Sequence, residues 1–189
     1  ARDSTMEIAA LSVGGFRCKS DVRTTLTETG ASLKQAVTVH GLGARHIDNH
    51  IEINHKVANC NSKLVINSAC AGSSRSIATG LLKVAKGANG TDAGQVFRNL
   101  LLSDKARADS IPELEVLADE VKAAHGAASA PVNPEQIHYL MSRGLSPQQA
   151  EAMIVEGFLI DAFSCLTDTD LKDVLATRMT IHLECELKR

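Results

Sequence analysis

Short runs of alternating apolar and polar residues dominate the first 130 positions of this chain. Val22, Thr24 and Leu26 alternate with charged or hydroxyl side chains, and residues 33–39, 45–55, 63–67 and 77–84 form further short segments of this kind. Glycine, asparagine or serine separates the runs, and Asn89-Gly90 is a strong turn signal. A period of two with frequent turns predicts β-strands, so we expect residues 1–130 to be mainly β.

The spacing between comparable strands is uneven, so no strict repeat is demonstrable. Many short strands without a helical stripe are typical of a β-solenoid or a β-sandwich, and periodicity does not separate the two. Aromatic residues make up 3% of the chain and tryptophan is absent, which favours a narrow interior of small and β-branched side chains. Residues 97–129 are the most irregular run. There we expect Pro112 to open an acidic strand-like segment and His125 to lie in an exposed loop.

The pattern changes to a helical one after residue 131. Asn133 is expected to cap a first helix that begins at Pro134 and is closed by Gly144. Ser146, followed by Pro147 and Gln149, has the form of a capping box at the start of a second helix. We therefore divide the chain into a β body, residues 1–130, and a helical unit, residues 131–189.

The apolar positions of the second and third helices are numerous. On the second helix we place Ala150, Met153, Ile154, Gly157, Phe158 and Ala162 on one face. A third helix is expected from about residue 168 to 187, with apolar positions Leu171, Val174, Leu175, Met179, Ile181 and Leu183. A unit of three helices cannot bury all of these side chains, so part of this surface must pack on the β body or on a partner.

Charge and composition exclude several classes of function. The net charge is −2 and no run of Lys or Arg exceeds two, so nucleic acid and anionic membrane are not expected partners. No apolar run approaches the roughly 20 residues of a membrane span, and the start does not resemble a signal peptide. Five cysteines without CxxC spacing indicate reduced thiols in a reducing compartment, so we expect a cytoplasmic location. No nucleophile, phosphate-loop or dinucleotide motif marks a catalytic centre.

One polar row has the residue types of a metal site. Alternation in the segment of residues 45–55 places His46, Asp48 and His50 on one face, together with Glu52. Imidazole and carboxylate groups two residues apart on a strand can share a metal. The same alternation also produces an ordinary solvent-facing row above buried isoleucines, and this simpler interpretation is favoured. Metal analysis of the protein and of His50→Ala separates the two.

Several stretches, in this order along the chain, resemble the SufB/SufD family, the scaffold subunits of the Suf iron–sulfur cluster assembly machine. They are ARHIDNHIEINH at residues 44–55, residues 80–92, NLLLSDKARADSIPELEVLADEVKAAHGA at residues 99–127 and IHYLMSRGLSPQQAEAMIVEGF at residues 137–158. The resemblance implies a right-handed parallel β-helix followed by a small α-helical unit. It also implies that this chain is the C-terminal portion of a SufD-like protein.

The resemblance implies a cluster-assembly interface at His125 and Glu115. His125 matches the His of the HGA motif that faces the SufB partner in SufD-like members. SufB-like members carry a reactive Cys directly after the matching Glu, where this chain has Val116, and many SufD-like members have a Cys where this chain has Ala123. Without those thiolates the chain supplies only nitrogen or oxygen ligands here. We expect no stably bound cofactor, but a transient iron–sulfur cluster at the interface.

The resemblance also implies the partners. The family's helical region docks the ATPase subunit SufC, which makes Met153, Glu156, Gly157 and Phe158 the expected SufC-binding region. The end of the β-helix is expected to pair with SufB, or with a second copy as a homodimer, because its last strands present unpaired edges. This predicts a scaffold and not an enzyme. The alternatives are a metal-binding protein that uses the His46 row, or a carbohydrate-active β-helix enzyme, which a single tyrosine and the lack of other carboxylate pairs disfavour.

Overall fold

The computed structural model describes residues 1–187, which form strands in the first two thirds and helices thereafter. The strands are β1 (Thr5–Ser12), β2 (Arg17–Leu26), β3 (Ser32–Gly41), β4 (His46–His55), β5 (Asn61–Cys70), β6 (Arg75–Val84), β7 (Asp92–Leu101), β8 (Arg107–Val116) and β9 (Lys122–Pro131). The helices are α1 (Pro134–Ser142), α2 (Pro147–Asp161) and α3 (Thr169–Leu187), with a short 3-10 helix (Ala162–Cys165) between α2 and α3.

The strands stack into a parallel β-helix of two sheets. Sheet A has the order β1-β3-β5-β7-β9 and sheet B the order β2-β4-β6-β8. Each strand pairs in parallel with the strand two places further along the chain. This confirms the solenoid and excludes the sandwich, whose sheets are antiparallel.

A repeat is present in the stacked register, although the sequence did not reveal it. Along sheet A, Ser32 pairs with Asn61, Asn61 with Asp92 and Asp92 with Lys122, so the partners are 29, 31 and 30 residues apart. The turns between strands absorb these differences of one or two residues. Each strand therefore keeps its inward-facing positions above those of its neighbour.

Apolar side chains from both sheets fill the interior of the solenoid. On β4, Ile47, Ile51 and Ile53 point inward and are 1%, 2% and 1% exposed. They pack against Leu33 and Val37 of β3 in one cluster of buried residues. The expected isoleucine row on β4 is thus confirmed as core.

Residues 97–129, expected to be irregular, are regular strand over most of their length. Pro112 lies within β8 and does not begin it, and His125 lies on β9 and not in a loop. The Arg107 N–H donates to the Ser74 carbonyl at 2.9 Å. The backbone N–H and C=O groups of the odd-numbered residues of β8 therefore point toward β6, and those of the even-numbered residues point to the free edge. Pro112 is even-numbered, and its missing N–H therefore breaks no ladder bond.

The predicted helix starts are confirmed. The Asn133 side chain accepts from the Glu135 N–H at 2.9 Å, and Pro134 begins α1. Gly144 follows α1 with a φ of +97°, a value that suits glycine. Ser146 and Gln149 form the reciprocal bonds of a capping box at the start of α2.

The helical unit covers the outer face of sheet A. Outward-facing Ala36 and Val65 contact the 3-10 helix around Phe163, while Ala69 packs against Leu159 and Met179. The Asn67 side chain donates to the Phe158 carbonyl at 2.7 Å and ties α2 to β5. Part of the helical apolar surface thus packs on the β body, as the sequence predicted.

Only some of the apolar positions on α2 and α3 are buried, as their number led us to expect. On α2, Val155 and Leu159 are buried but Met153 is 49% exposed. On α3, Val174 and Ile181 are 58% and 50% exposed, whereas the buried positions are Leu175, Met179 and Leu183. A helix lying on a flat sheet buries only a narrow stripe at a spacing of four residues.

Two further properties concern the described residues as a whole. None of the helices within residues 1–187 is long and apolar enough to cross a membrane. All five cysteines are free thiols, with Cys60, Cys70 and Cys165 buried and Cys18 and Cys185 exposed.

Candidate functional site

The last rung of the β-helix, made of β8 and β9, lies at an open end of the solenoid. Within the described residues, β9 pairs only with β7 and β8 only with β6. None of the side chains of β9 is fully buried, and six of its ten residues are alanine or glycine. This end is therefore flat, sterically accessible and bounded by two strand edges.

The free edge of β9 can be assigned residue by residue. The Lys122 N–H donates to the Thr91 carbonyl at 2.8 Å. In a parallel ladder the N–H and C=O of one residue point to the same side and successive residues alternate. Even-numbered residues therefore bond to β7, and the backbone groups of Ala123, His125, Ala127 and Ser129 point to the free edge.

The His125 side chain occupies an inward-facing position at the mouth of the solenoid. His125 is in register with Gln95 of β7, which is 1% exposed. No further rung covers His125 within the described chain, so its imidazole is exposed although it continues an interior column. Its backbone lies on the free edge, and its side chain lies at the mouth.

Glu115 lies on β8 and is also exposed. It is in register with Lys83, on the outer face of sheet B, whereas the alternate residues Leu114 and Val116 follow the inward columns. His125 and Glu115 therefore lie on the same rung but on different faces of it. Val116 is 36% exposed at the mouth.

A polar cluster inside the solenoid supports this rung, and sequence reasoning missed it. Asn99 of β7 is 5% exposed, and its Nδ2 donates to Ser110 Oγ of β8 and to Ser129 Oγ of β9, both at 2.9 Å. One rung below, Ser76 Oγ donates to Ser68 Oγ at 3.2 Å. Asn99 thus holds both edge strands from within. Only the stacked register could reveal that these residues are neighbours.

A shallow hollow of about 530 Å³ lies against this end of the molecule, between β8 and β9. Its polar walls include Ser110, Ser129 and the ion pair between Arg75 and Asp109, whose Nη2–Oδ2 distance is 2.6 Å. Its remaining walls are mainly small or aliphatic. The hollow offers hydroxyls, a carboxylate and a guanidinium, but none of its lining residues is a cysteine.

The row that was considered as a metal site lies on the exposed face of sheet B. His46, Asp48, His50 and Glu52 alternate there with the buried isoleucines, as predicted. Lys19 Nζ lies 3.0 Å from Asp48 Oδ2, and Lys83 Nζ lies 3.2 Å from Glu52 Oε1.

Hydrogen bonds from Asn54 and Lys83 lower the pKa of the Glu52 carboxyl group. Both carboxylates of the row are thus engaged by cations on neighbouring strands. Among residues 1–187, no group of three or more His, Cys, Asp or Glu side chains is arranged to hold a metal.

The helical candidates separate into exposed and structural residues. Met153 and Gly157 are exposed on α2. Glu156 is half-buried and accepts a hydrogen bond from the Thr180 hydroxyl of α3. Phe158 is half-buried, and its side chain packs in the cluster between α2, α3 and sheet A. Only Met153 and Gly157 are therefore freely available to a partner.

A hollow of about 370 Å³ lies between α1 and α2, on the helical unit. Tyr139, which is 57% exposed, lines it together with Leu140 and Ile154. The Arg143 guanidinium lies 5.2 Å from the centre of the Tyr139 ring and stacks over it. Tyr139 was not among the predicted site residues, although an exposed aromatic side chain is a common contact for a partner protein.

Known proteins are similar to this chain over most of its length. The family model described as "SUF system FeS cluster assembly, SufBD core domain" matches residues 1–158. The iron–sulfur cluster assembly protein SufD of Escherichia coli (strain K12) is 30% identical over 179 residues, which are 95% of this chain and 42% of that protein.

Two further relatives are similar over shorter stretches. SufD of Bacillus subtilis (strain 168) is 44% identical over 87 residues, or 46% of this chain and 20% of that protein. An iron–sulfur cluster assembly SufBD family protein of Mycobacterium bovis is 32% identical over 152 residues, or 76% of this chain and 37% of that protein. The chain spans less than half the length of these relatives. Because the family model covers most of its residues, this chain belongs to the SufB/SufD family of iron–sulfur cluster assembly proteins, as a SufD-like member.

Proposed function

We propose that this chain is a non-enzymatic scaffold subunit of a Suf-type iron–sulfur cluster assembly complex. In this proposal its last rung pairs with a SufB-type subunit, and its helical unit binds a SufC-type ATPase. The observation that supports it best is the uncovered strand edge of β9, which carries His125. The five free cysteines fit a reducing compartment, for which we propose the cytoplasm or the plastid stroma.

Edge pairing is favoured by the composition of β9. An exposed strand edge is a template for another strand, and proteins usually block such edges with charges, bulges or proline. On β8 Pro112 interrupts the middle of the free edge, whereas on β9 the proline, Pro131, stands at the last edge position. Ala123, His125, Ala127 and Ser129 keep their N–H groups on that edge. A partner strand can therefore extend sheet A by backbone hydrogen bonds.

The chemistry proposed for the seam follows from the available ligands. His125 supplies an imidazole at the mouth of the solenoid, and Glu115 a carboxylate on the same rung. Iron in clusters is held mainly by thiolates, with imidazole as an occasional substitute. A cluster assembled here takes its thiolates from the partner, and this chain contributes His125.

The helical unit is the proposed docking site for the ATPase. Met153 and Tyr139 are exposed on adjacent helices, and the hollow between α1 and α2 can receive a side chain. α1 begins three residues after β9 ends, so a force on the helical unit is transmitted directly to the strand that carries His125. ATP-driven dimerisation of the ATPase would in this way strain the seam.

Removal of a single backbone N–H from the free edge of β9 tests the proposed edge pairing. Ala127→Pro removes an N–H on the free edge but none that bonds to β7, whereas Ala127→Val changes the same position and keeps the N–H. We expect Ala127→Pro to abolish co-purification with a SufB-type subunit and Ala127→Val to retain it. Equal binding by both variants would refute edge pairing. Size-exclusion chromatography of the same two variants without a partner tests the homodimer: if the chain dimerises through this edge, Ala127→Pro should be monomeric and Ala127→Val dimeric.

The roles of His125 and α2 are tested separately. His125→Ala should leave pairing intact and reduce the iron and sulfide retained by the complex. Met153→Glu should abolish co-purification with a SufC-type ATPase. Val174 is likewise exposed, on α3, and Val174→Glu serves as the control that should retain binding. Unchanged ATPase binding by Met153→Glu would exclude that part of α2 as the docking surface.

A further inference from the structure

A pair of histidines joins the β-helix to the C-terminal helix. His40 on β3 is 4% exposed, and its Nδ1 lies 3.0 Å from Nε2 of His182 on α3. The ring planes are nearly perpendicular, at 86°, with centres 5.2 Å apart. The ring centres are therefore far enough apart for the two nitrogens to point at each other along a hydrogen bond, in which one ring donates its N–H and the other accepts with its lone pair.

Charged groups from three elements face this pair. Glu186 lies one turn beyond His182 on α3, and its Oε1 is 3.9 Å from Nη2 of Arg45, which precedes β4. Glu151 of α2 lines the same cavity, of about 210 Å³, as His40 and Glu186. The cavity gives water and protons a path to the His40 ring, although the ring itself is almost fully buried.

We propose that the His40–His182 pair is a pH-operated latch that holds the C-terminal half of α3 on the β-helix. When both rings are neutral, or when only one is protonated, one imidazole still has a lone pair that can accept from the other. When both rings are protonated, neither can accept, and two positive charges face each other at hydrogen-bond distance. The contact then opens, and the end of α3 leaves sheet A.

The direction of the pH effect follows from the surroundings of His40. Burial, the charge of His182 and the charge of Arg45 lower the pKa of His40 to about 4, against the opposing effect of Glu186. In an undocked chain the pKa returns to about 6.5. The contribution of neutral His40 to docking is therefore fully present above about pH 6.5 and is lost as the pH falls toward 4. By linkage, the docking constant falls about twentyfold between pH 7 and pH 5.

Hydrogen exchange of the isolated chain, without partners, tests the latch. After correction for intrinsic exchange rates, we expect amides of residues 176–186 to exchange about twentyfold faster at pH 5 than at pH 7, while those of β5 change little. His182→Gln keeps an N–H donor for His40, and its carbonyl can accept if His40 gains a proton. This variant should show a smaller effect than the unsubstituted protein, because the charge at position 182 is removed while the burial of His40 remains. His138→Gln, at an exposed position on α1, is the control and should behave like the unsubstituted protein.

Two results would overturn the proposal: equal protection of α3 at both pH values, or a His182→Gln variant as pH-sensitive as the unsubstituted protein. If His182→Gln is already undocked at pH 7, the decision falls to an NMR titration of the unsubstituted protein. The His40 ring must then titrate together with the opening of α3. Independent titration refutes the latch. Because no partner is present, these outcomes do not depend on the proposed scaffold role.

Discussion

Individual side chains set the response of this protein to acid, and His55 is the most deeply buried of them. Its side chain is 0% exposed inside the solenoid, and its Nε2 lies 2.8 Å from Ser62 Oγ. Burial lowers the pKa of His55 to about 4, so the ring is neutral in the folded protein. Unfolding below pH 6.5 lets the ring take up a proton, and the stability that His55 provides at neutral pH is lost as the pH falls from 6.5 toward 4.

We predict that His55→Gln makes stability less dependent on pH. The free energy of unfolding, measured by urea denaturation, should fall between pH 7 and pH 5 by about 2 kcal/mol less in this variant than in the unsubstituted protein. Its absolute stability at pH 7 should be lower, because glutamine fills the site less well. His138→Gln, at an exposed site, provides the comparison. An unchanged difference between the two pH values would contradict the argument.

Glu7 connects the first strand to the start of the last helix. Its carboxylate accepts from the Thr167 N–H at 2.8 Å and the Asp168 N–H at 3.1 Å, from the Thr167 hydroxyl, and pairs with Lys34 Nζ at 3.4 Å. The hydrogen bond from the Thr167 side chain and that from the Asp168 backbone contribute most to lowering the pKa of Glu7 to about 2. A charged Glu7 therefore stabilises the turn that leads into α3, where an anion is favoured.

We predict that Glu7→Gln lowers the melting temperature at pH 7 by a few degrees. Because the pKa is lowered in the folded state, the stabilisation is present above about pH 4.5 and disappears as the pH falls toward 2. The difference in melting temperature between the two proteins should shrink over that interval. Glu28→Gln, at an exposed position in the turn after β2, should have little effect at either pH.

At the scale of elements, a small residue on β6 lies opposite a large side chain on β7 inside the solenoid. Phe97 of β7 is 0% exposed, and a Cβ atom on Gly80 of β6 would lie 2.4 Å from its ring and equally close to Gln95 Oε1. A glycine on one sheet thus makes room for the large ring on the other. Such pairs keep the distance between the two sheets constant although residue sizes vary along a strand.

This pairing predicts a compensating double substitution. Gly80→Ala should destabilise the fold by about 1–3 kcal/mol through overpacking, and Phe97→Leu by a similar amount through the lost ring. Combined, they should cost less than the sum of the single changes, because leucine frees the part of the space that the ring occupies, while the Gln95 side chain still has to shift. Urea denaturation of the four proteins measures this coupling. Strict additivity would show that the two positions do not share space.

At the scale of the whole molecule, the β-helix and the helical unit share one buried interface. Leu159 of α2 is 0% exposed and lies in one cluster with Ala69 and Leu100 of sheet A. The outer face of sheet A is therefore buried only while the helices are docked. Separate unfolding of the helical unit would expose this apolar surface, which is unfavourable.

We predict that the chain unfolds as one cooperative unit at pH 7, where the His40–His182 contact is closed. Leu159→Ala should cost about 2–5 kcal/mol by leaving a cavity, and it should shift the helical and β-sheet signals of circular dichroism to the same denaturant midpoint. Met153→Ala, at an exposed position on the same helix, is the matched control and should leave the midpoint nearly unchanged. Two separate midpoints in Leu159→Ala would show that the helices unfold independently.

The sequence alone determined the local features of this protein, because each depends on residues close together in the chain. Alternation predicted the strands of residues 1–130 and the two faces of β4. Asn133, Pro134 and Ser146 predicted where α1 and α2 begin, since a cap involves only the next three residues. The resemblance of residues 44–55 and 99–158 to the SufB/SufD family was confirmed by comparison, and with it the parallel β-helix.

Tertiary structure decided which distant residues are neighbours. The stacking of partners 29 to 31 residues apart on sheet A brings Asn99 beside Ser129 and leaves the His125 backbone on a free edge. The docking of α3 on sheet A places His182 against His40 and exposes Val174 and Ile181, which periodicity alone did not distinguish from the buried apolar positions of this helix. Turns of variable length hide the repeat from the sequence, and only the folded chain defines the surface that a helix covers.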